Sequence, residues 1–344
     1  MSETGPIWSP RHAAGGPAAG RPFLLFALAA TAELGRAVAQ NLGSSLAAHE
    51  ERAFEDGEHK ARPLDAVGGR EVYVIQSLHS GPGESANDKL CRLLFFIGAL
   101  KDAGAARVTA VVPYLCYARK DRRTKPNDPV TTRYVAQMFE AVGGDGIVTL
   151  EAHNPAALEN AFRCRTVALS GAPLFVDFAR ALGEEALSVV SPDTGGAKRA
   201  EQFREALEAT LGRPVGKGFA EKYRSAGVVS GDLFVGDVEG RTVLVIDDLI
   251  STGGTLLRAA RAARKAGARR VIALVTHGLF MAGYAEAMAD AAIDQLVVSD
   301  AVPPFRLTED AVRRKTTVLA AAPLFAEAIR RLQAGAPLSD LLAY

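Results

Sequence analysis

The stretch Val243-Leu244-Val245-Ile246-Asp247-Asp248-Leu249-Ile250-Ser251-Thr252-Gly253-Gly254-Thr255 decides how this chain folds. The β-branched apolar run 243–246 predicts a buried strand, and an amphipathic helical stretch starts at Leu256. A turn of small residues between them predicts a strand–loop–helix unit built to hold a phosphate. Gly253 and Gly254 let the backbone approach an anion closely, and the N–H groups that open the helix point at it. Ser251, Thr252 and Thr255 add hydroxyl donors. Asp247 and Asp248, at the strand's carboxyl end, repel phosphate and suit sugar hydroxyls or a magnesium ion beside them. A ligand that is both sugar and phosphate meets both demands. An ordinary glycine-rich turn is the plain alternative. A Walker A loop is excluded, because GxxxxGK[ST] occurs nowhere in the chain.

Outward from this unit, strands and helices alternate. Apolar runs predict strands at Phe23–Leu28, Val72–Leu78, Val108–Leu115, Ile147–Leu150, Leu187–Val190 and Val271–Thr276. Helical spacing appears at Leu34, Val38 and Leu42, and again at Leu90, Leu93, Leu94, Ile97 and Leu100, where Gly104 terminates it. Repeated βαβ units mean parallel sheets covered by helices. The segment ALKDAGAARVTAVVPY at 99–114 echoes AARKAGARRVIALVTH at 262–277, which predicts two related halves with a seam between Phe162 and Leu174. Ligands of such sheets sit at the carboxyl ends of the strands.

With 344 residues, 48% apolar and 23% charged, the chain is long enough for two domains and well able to bury their cores. A formal net charge of +1 offers no footprint for nucleic acid or an anionic membrane. Arg258, Arg261, Arg264 and Lys265 make a basic stripe, but on one helix face, as solvated faces do. Cys91, Cys116 and Cys164 lack metal-ligand spacing, and so sparse and odd a set points to a reducing cytoplasm. RPFLLFALAATA at 21–32 imitates a signal peptide, yet it follows a long polar lead and reads as the first strand running into the first helix. No apolar stretch reaches the roughly 20 residues that span a bilayer. Residues 1–20, with Gly, Pro, Ala and Ser and no periodicity, are expected to be a disordered tail.

The 247–255 loop resembles the phosphoribosyl-pyrophosphate (PRPP) loop of type I phosphoribosyltransferases and of the ribose-phosphate pyrophosphokinase (PRPP synthetase) family. Further segments resemble the latter, in its chain order. FEDGE at 54–58 offers Phe54 to stack on a purine, and Asp56 and Glu58 to accept from base or ribose. Read without the resemblance, its Asp-Gly is a hairpin turn. YARKDRR at 117–123 gathers Arg119, Lys120, Arg122 and Arg123 at a strand's end for a triphosphate, with Asp121 to orient an arginine; Lys120 stands where the family has glutamine. LEAHNP at 150–155 supplies His153, with Glu151 in place of an aspartate. SPDTGGAKRA at 191–200 supplies Asp193, with Thr194 in place of a histidine. FAEKYR at 219–224 keeps Lys222 and Arg224 of a mobile catalytic loop, whereas Tyr223 replaces an arginine.

The resemblance covers roughly residues 23–340. It implies two tandem phosphoribosyltransferase-like domains, each a mostly parallel α/β sheet flanked by helices: 21–168 on the ATP side and 169–344 with the ribose 5-phosphate loop. It implies transfer of the β,γ-diphosphate of ATP to the 1-hydroxyl of ribose 5-phosphate, giving PRPP and AMP. The implied ATP-binding residues are Phe54, Asp56, Glu58, Arg119, Lys120, Asp121, Arg122 and His153. Those for ribose 5-phosphate are Asp247, Asp248, Ser251, Thr252, Gly253, Gly254 and Thr255, with Arg224. Lys222 and Arg224 are the implied catalytic residues, and His153 and Asp193 the implied contacts of Mg²⁺. In the family the 54–58 loop serves a neighbouring subunit, which implies a dimer or hexamer. Two alternatives share these segments. A phosphoribosyltransferase that consumes PRPP needs only one such domain, and a non-catalytic regulatory subunit is free to lose the basic residues retained here.

Overall fold

Two mostly parallel sheets result from this alternation, each in its own unit. The structure, a computed structural model, describes residues 23–225 and 228–343, without the side chains of 221–233. The expected tail at 1–20 lies outside the described residues.

Residues 23–170 with 321–343 form the first unit. Its strands are β1 (Phe23–Ala27), β2 (His49–Ala53), β3 (His59–Pro63), β4 (Glu71–Ile75), β5 (Arg107–Val112), β6 (Gly146–Leu150) and β7 (Arg165–Leu169). Its helices are α1 (Ala32–Leu42), α2 (Ala86–Asp102), α3 (Thr131–Ala141) and α4 (Pro155–Ala161). The sheet order is β1-β4-β5-β6-β7, parallel throughout, and β2 and β3 form a separate antiparallel hairpin. The core sets Val72, Val74, Val108, Ala110 and Val112 against Leu93, Phe96, Ile97 and Leu100 of α2. Each such large side chain contributes about 1.5–3 kcal/mol when fully buried.

The second unit runs from Gly171 to Ala320. Its helices are α5 (Ala172–Ala181), α6 (Ala197–Leu211), α7 (Gly254–Lys265), α8 (Tyr284–Ala289) and α9 (Asp310–Arg313). Its strands are β8 (Leu187–Ser191), β9 (Gly216–Ser225), β10 (Val228–Gly236), β11 (Thr242–Ile250), β12 (Arg270–Gly278), β13 (Gln295–Ser299) and β14 (Thr316–Leu319). The order is β10-β9-β8-β11-β12-β13-β14, and β9–β10 is the one antiparallel pair among the described strands of this sheet. Ala259, Ala260 and Ala263 of α7 are buried in one cluster with Val243, Val245, Val271 and Ala273. Such short side chains let the helix lie close to the strands that feed the 251–255 turn.

The last helix, α10 (Ala322–Ala334), corrects the expected end of the second domain. It buries Leu324, Phe325, Ala328 and Ile329 and packs on α1. Gln333 Nε2 donates to Tyr73 Oη at 2.9 Å, Arg330 Nη2 to the Asn41 carbonyl at 2.9 Å, and the Ala343 N–H to the Ala168 carbonyl at 2.9 Å. Residues 321–343 therefore complete the first unit, because their apolar face has its partner there.

The sequence echo corresponds to a duplicated hydrogen-bond scaffold. Gly104 (φ +84°) follows α2, and Gly267 (φ +92°) follows α7. The Ala105 N–H reaches the Leu100 carbonyl at 3.0 Å, as the Ala268 N–H reaches Ala263 at 3.0 Å. Asp145 Oδ2 accepts from the Val108 N–H at 2.7 Å and from Lys101 Nζ at 3.0 Å. Asp294 Oδ2 likewise accepts from the Val271 N–H at 2.6 Å and from Arg264. Arg264 of the basic stripe is thus a structural tie. Among the described residues, no helix is long and apolar enough to cross a membrane.

Candidate functional site

Strand β11 carries the two acids. It runs past the expected 243–246 to Ile250, because β12 keeps pairing through Leu249↔His277 and Ile250↔Gly278. The Asp248 N–H donates to Asp247 Oδ1 at 2.9 Å and the Leu249 N–H to Asp248 Oδ1 at 2.8 Å, which fixes both carboxylates against the backbone. Arg199, in the first turn of α6, sets Nη1 3.5 Å from Asp247 Oδ1 and Nη2 3.8 Å from Asp248 Oδ2. Burial and then the adjacent Asp248 carboxylate push Asp247 well above the usual aspartate range, against the pull of Arg199.

The turn after β11 is open to an anion. Gly253 caps α7 in the left-handed conformation at φ +82°, and no side chain caps the helix. A Cβ at Gly253 would lie 2.8 Å from Met288 Cε and 3.1 Å from Ala287 Cβ, so glycine is required by space as well as by φ. Ser251, Gly254 and Thr255 are half-buried around this turn and Thr252 is exposed. Arg258 Nη2 donates to Thr255 Oγ1 at 3.3 Å. A half-buried turn that opens a helix without a side-chain cap and carries hydroxyls can accept a phosphoryl group.

Beside it, β8 delivers Ser191-Pro192-Asp193. Asp193 Oδ1 accepts from the Gly196 N–H at 3.0 Å and its carbonyl from Ser191 Oγ at 2.6 Å, which leaves the carboxyl group exposed ahead of α6. Arg199 links this segment to the acids of β11. Its role was missed in the sequence, although a base in the first turn after paired glycines is a signal for it.

The remaining expected residues of the ATP side belong to the first unit. After β5, Lys120 Nζ meets Asp128 Oδ2 at 2.6 Å, and the N–H groups of Thr124 and Lys125 converge on the same oxygen at 3.0 Å. The hydrogen bonds from Lys120 and Thr124 hold Asp128 far below its usual range. Arg119 and Arg122 are exposed. Asp121 does not orient an arginine as expected: its Oδ2 accepts from Asn154 Nδ2 at 2.7 Å, tying the 117–123 loop to the 150–155 segment. Asn154 also caps α4 through the Ala157 N–H at 3.2 Å. His153 is exposed just past β6, and the buried Glu151 turns the chain there at φ +47°.

FEDGE forms the tip of the β2–β3 hairpin, as its Asp-Gly predicts when read without the resemblance. The Phe54 N–H reaches the Glu58 carbonyl at 2.8 Å, and Asp56 Oδ1 takes the Glu58 N–H at 3.0 Å. Arg52 lies 4.9 Å from the Phe54 ring centroid. Lys222 and Arg224 fall on β9, in register with Asp232 and Val229 of β10; their side chains lie outside the described residues. No cluster of three or more His, Cys, Asp or Glu with metal-holding geometry occurs among the described residues.

Comparison with known proteins bears on the whole chain. The family model described as the N-terminal domain of ribose phosphate pyrophosphokinase matches residues 23–143, and the phosphoribosyl synthetase-associated domain matches residues 231–343. A ribose-phosphate pyrophosphokinase of Caldanaerobacter subterraneus subsp. tengcongensis is 37% identical, over 90% of this chain and 94% of its own. Ribose-phosphate pyrophosphokinase 1 of Streptococcus pneumoniae is 35% identical, over 92% and 96%. The crystal structure of phosphoribosylpyrophosphate synthetase from Mycobacterium smegmatis superposes with a TM-score of 0.80 at 32% identity, covering 92% of this chain and all of that one.

Proposed function

The chain belongs to the ribose-phosphate pyrophosphokinase family, and on that premise we propose a role for each part of its site. The reaction is transfer of diphosphate from ATP to ribose 5-phosphate, giving PRPP and AMP. The sugar's 1-hydroxyl oxygen bonds to the β-phosphorus as the bond to the bridging α,β-oxygen breaks, and negative charge moves onto AMP. Positioning and charge neutralisation dominate such transfers.

Ser251, Thr252, Gly253, Gly254 and Thr255 hold the 5-phosphate, and Asp247 and Asp248 accept from the ribose hydroxyls. The observation that carries this reading is the uncapped start of α7 directly after two acids held by Arg199. Arg119 and Arg122 face the triphosphate, while Lys120 and Asp121 brace their loop through Asp128 and Asn154. Phe54, Asp56 and Glu58 take the adenine nucleotide, and His153 a polyphosphate oxygen. Lys222 and Arg224 supply the positive charge at the transferring group, with Arg224 reaching the sugar as well; their support is the FAEKYR segment.

Mg²⁺ neutralises phosphate charge in such transfers when bound. The exposed carboxylate of Asp193 is the hard oxygen donor this ion takes, and His153 is the second contact. Mg²⁺ usually keeps several waters and shares substrate phosphates, so it needs no cage of protein ligands. The free state of Cys91, Cys116 and Cys164 supports a cytoplasmic setting. A hairpin tip that serves a neighbour's nucleotide implies a homodimer or hexamer, and sedimentation of a fully active monomer would refute that.

Incubating the purified protein with ATP, ribose 5-phosphate and Mg²⁺ should release AMP in step with PRPP. Consumption of PRPP with a nucleobase and no AMP release would identify a phosphoribosyltransferase instead.

A further inference from the structure

The β2–β3 hairpin pairs with no other strand among the described residues, and an isolated two-stranded ribbon is marginal in water. Its two faces differ. Glu50, Arg52, Lys60 and Arg62 alternate onto one face, where Glu50 pairs with Arg62 at 2.7 Å and Lys60 at 3.7 Å. The other face carries His49, Glu51 and His59, with side chains only 17%, 14% and 7% exposed. Surface pairs such as those of Glu50 contribute little. A buried carboxylate is a different matter, because it must be compensated where it sits.

Glu51 is compensated from three directions. Its Oε1 accepts the Ala29 N–H at 2.6 Å and lies 2.9 Å from His49 Nε2, and its Oε2 lies 3.3 Å from His59 Nε2. His49 belongs to β2, His59 to β3, and Ala29 to the turn that leaves β1. The His49 ring packs against Phe26 at 6.1 Å and Phe96 at 5.5 Å. Neither ring nitrogen of His59 makes a hydrogen bond, so its approach to Glu51 is an electrostatic contact without directional geometry. One carboxylate thus connects both strands of the hairpin to the edge of the first sheet, a few residues from the 54–58 tip.

We infer that Glu51 is a positioning residue for the adenine nucleotide: it clamps β2, β3 and Ala29 together and so fixes where the 54–58 tip reaches. Burial raises Glu51, but the hydrogen bonds from His49 and Ala29, with the charge either imidazole carries when protonated, outweigh it and hold the carboxyl below its usual range. The clamp is therefore ionised at neutral pH. This inference rests on the reading that the 54–58 tip touches the nucleotide.

Glu51→Gln keeps the shape and an acceptor for Ala29 while removing the charge. It should raise KM for ATP about tenfold, the loss typical of a hydrogen bond to a charged group. The same variant should leave KM for ribose 5-phosphate and kcat at saturating ATP within about twofold. Hydrogen exchange at the amides of 49–63 should quicken about tenfold, with β4, β5 and β6 unchanged. His59→Leu fills the same buried volume without charge and should show the same split. Unchanged hairpin exchange, or a fall in kcat with both KM values raised together, overturns the inference. So does faster hairpin exchange with an unchanged KM for ATP when Phe54→Ala raises that KM. If Phe54→Ala leaves KM for ATP at the wild-type value, the tip does not touch the nucleotide, and the assignment of the loop falls together with the clamp's role in it.

Discussion

The helix starts after β4 and after β11 occupy equivalent places in the two halves, and they treat their free N–H groups in opposite ways. In the first half, Ser85 caps α2: its Oγ accepts the Asp88 N–H at 3.2 Å, and Asp88 Oδ2 returns a bond to the Ser85 N–H at 2.7 Å. That reciprocal box satisfies the donors from within the chain. In the second half, a left-handed Gly253 opens α7 with no side-chain cap and no acid in the first turn. The strands and their amino-terminal ties are duplicated, down to Asp145 and Asp294 accepting from the second residue of the preceding strand. The carboxyl ends of the equivalent strands β4 and β11 have diverged. The duplicated scaffold thus closes one helix start with a capping box and leaves the other, after the paired acids, without a side-chain cap.

The largest effect is expected at the β9–β10 pair, which joins its sheet, whereas the β2–β3 hairpin at the same place in the first half stands apart from its own. Lys222→Ala should lower kcat by about 10²–10³, the cost of removing one preorganised donor to developing charge. ATP affinity in a binding titration should stay near wild type, because the charge acts mainly in the transition state. Wild-type turnover would make this segment a plain edge strand.

Next is Asp247→Asn, which should raise KM for ribose 5-phosphate about 10- to 100-fold and that for ATP far less, as loss of a charged hydrogen-bond partner does. Equal effects on both substrates would break the assignment. Asp247 also sets a pH dependence. Its raised pKa leaves it protonated in a window above the usual aspartate range, where it loses acceptor capacity for the sugar. The value of kcat/KM for ribose 5-phosphate should therefore fall as pH falls through that window. The folded protein should not lose stability from this group there, since folding favours its protonated form. Arg199→Met should move this limb to higher pH, and Arg199→Lys should move it less; an unmoved limb would show that Arg199 does not govern the acids.

Gly253→Ala and Ser85→Ala test the comparison directly. The first forces a side chain to φ +82° against Met288, and the left-handed strain is about 1–2 kcal/mol, so KM for ribose 5-phosphate should rise about 5- to 30-fold. The second removes a cap and should cost about 1 kcal/mol of stability in a thermal melt, with both KM values unchanged. If Ser85→Ala altered ribose 5-phosphate binding, the two helix starts would not have separate tasks.

Strand and helix positions were legible because apolar periodicity reports which face is buried. The phosphate turn was legible because its glycines, hydroxyls and acids are contiguous. Arg199 was not singled out: it pairs with residues 247 and 248 only because β8 lies beside β11, an adjacency that crosses the intervening β9–β10 excursion. Asp121 was aimed at an arginine because arginines are its neighbours in sequence, whereas the fold brings it to Asn154. The end of the second domain was misjudged because α10 looks like any amphipathic helix until its partner, α1, is known.

By itself the sequence determined the α/β class, the two related halves, the family and the strand–turn–helix unit at 243–255, since each is written in short-range pattern. Only the tertiary structure decided that Ser85 and Asp88 close the start of α2, which arginine pairs with the two acids, and where the last helix belongs. The last two are long-range pairings, and the energy that selects them comes from burial and charge neutralisation between segments that are distant along the chain.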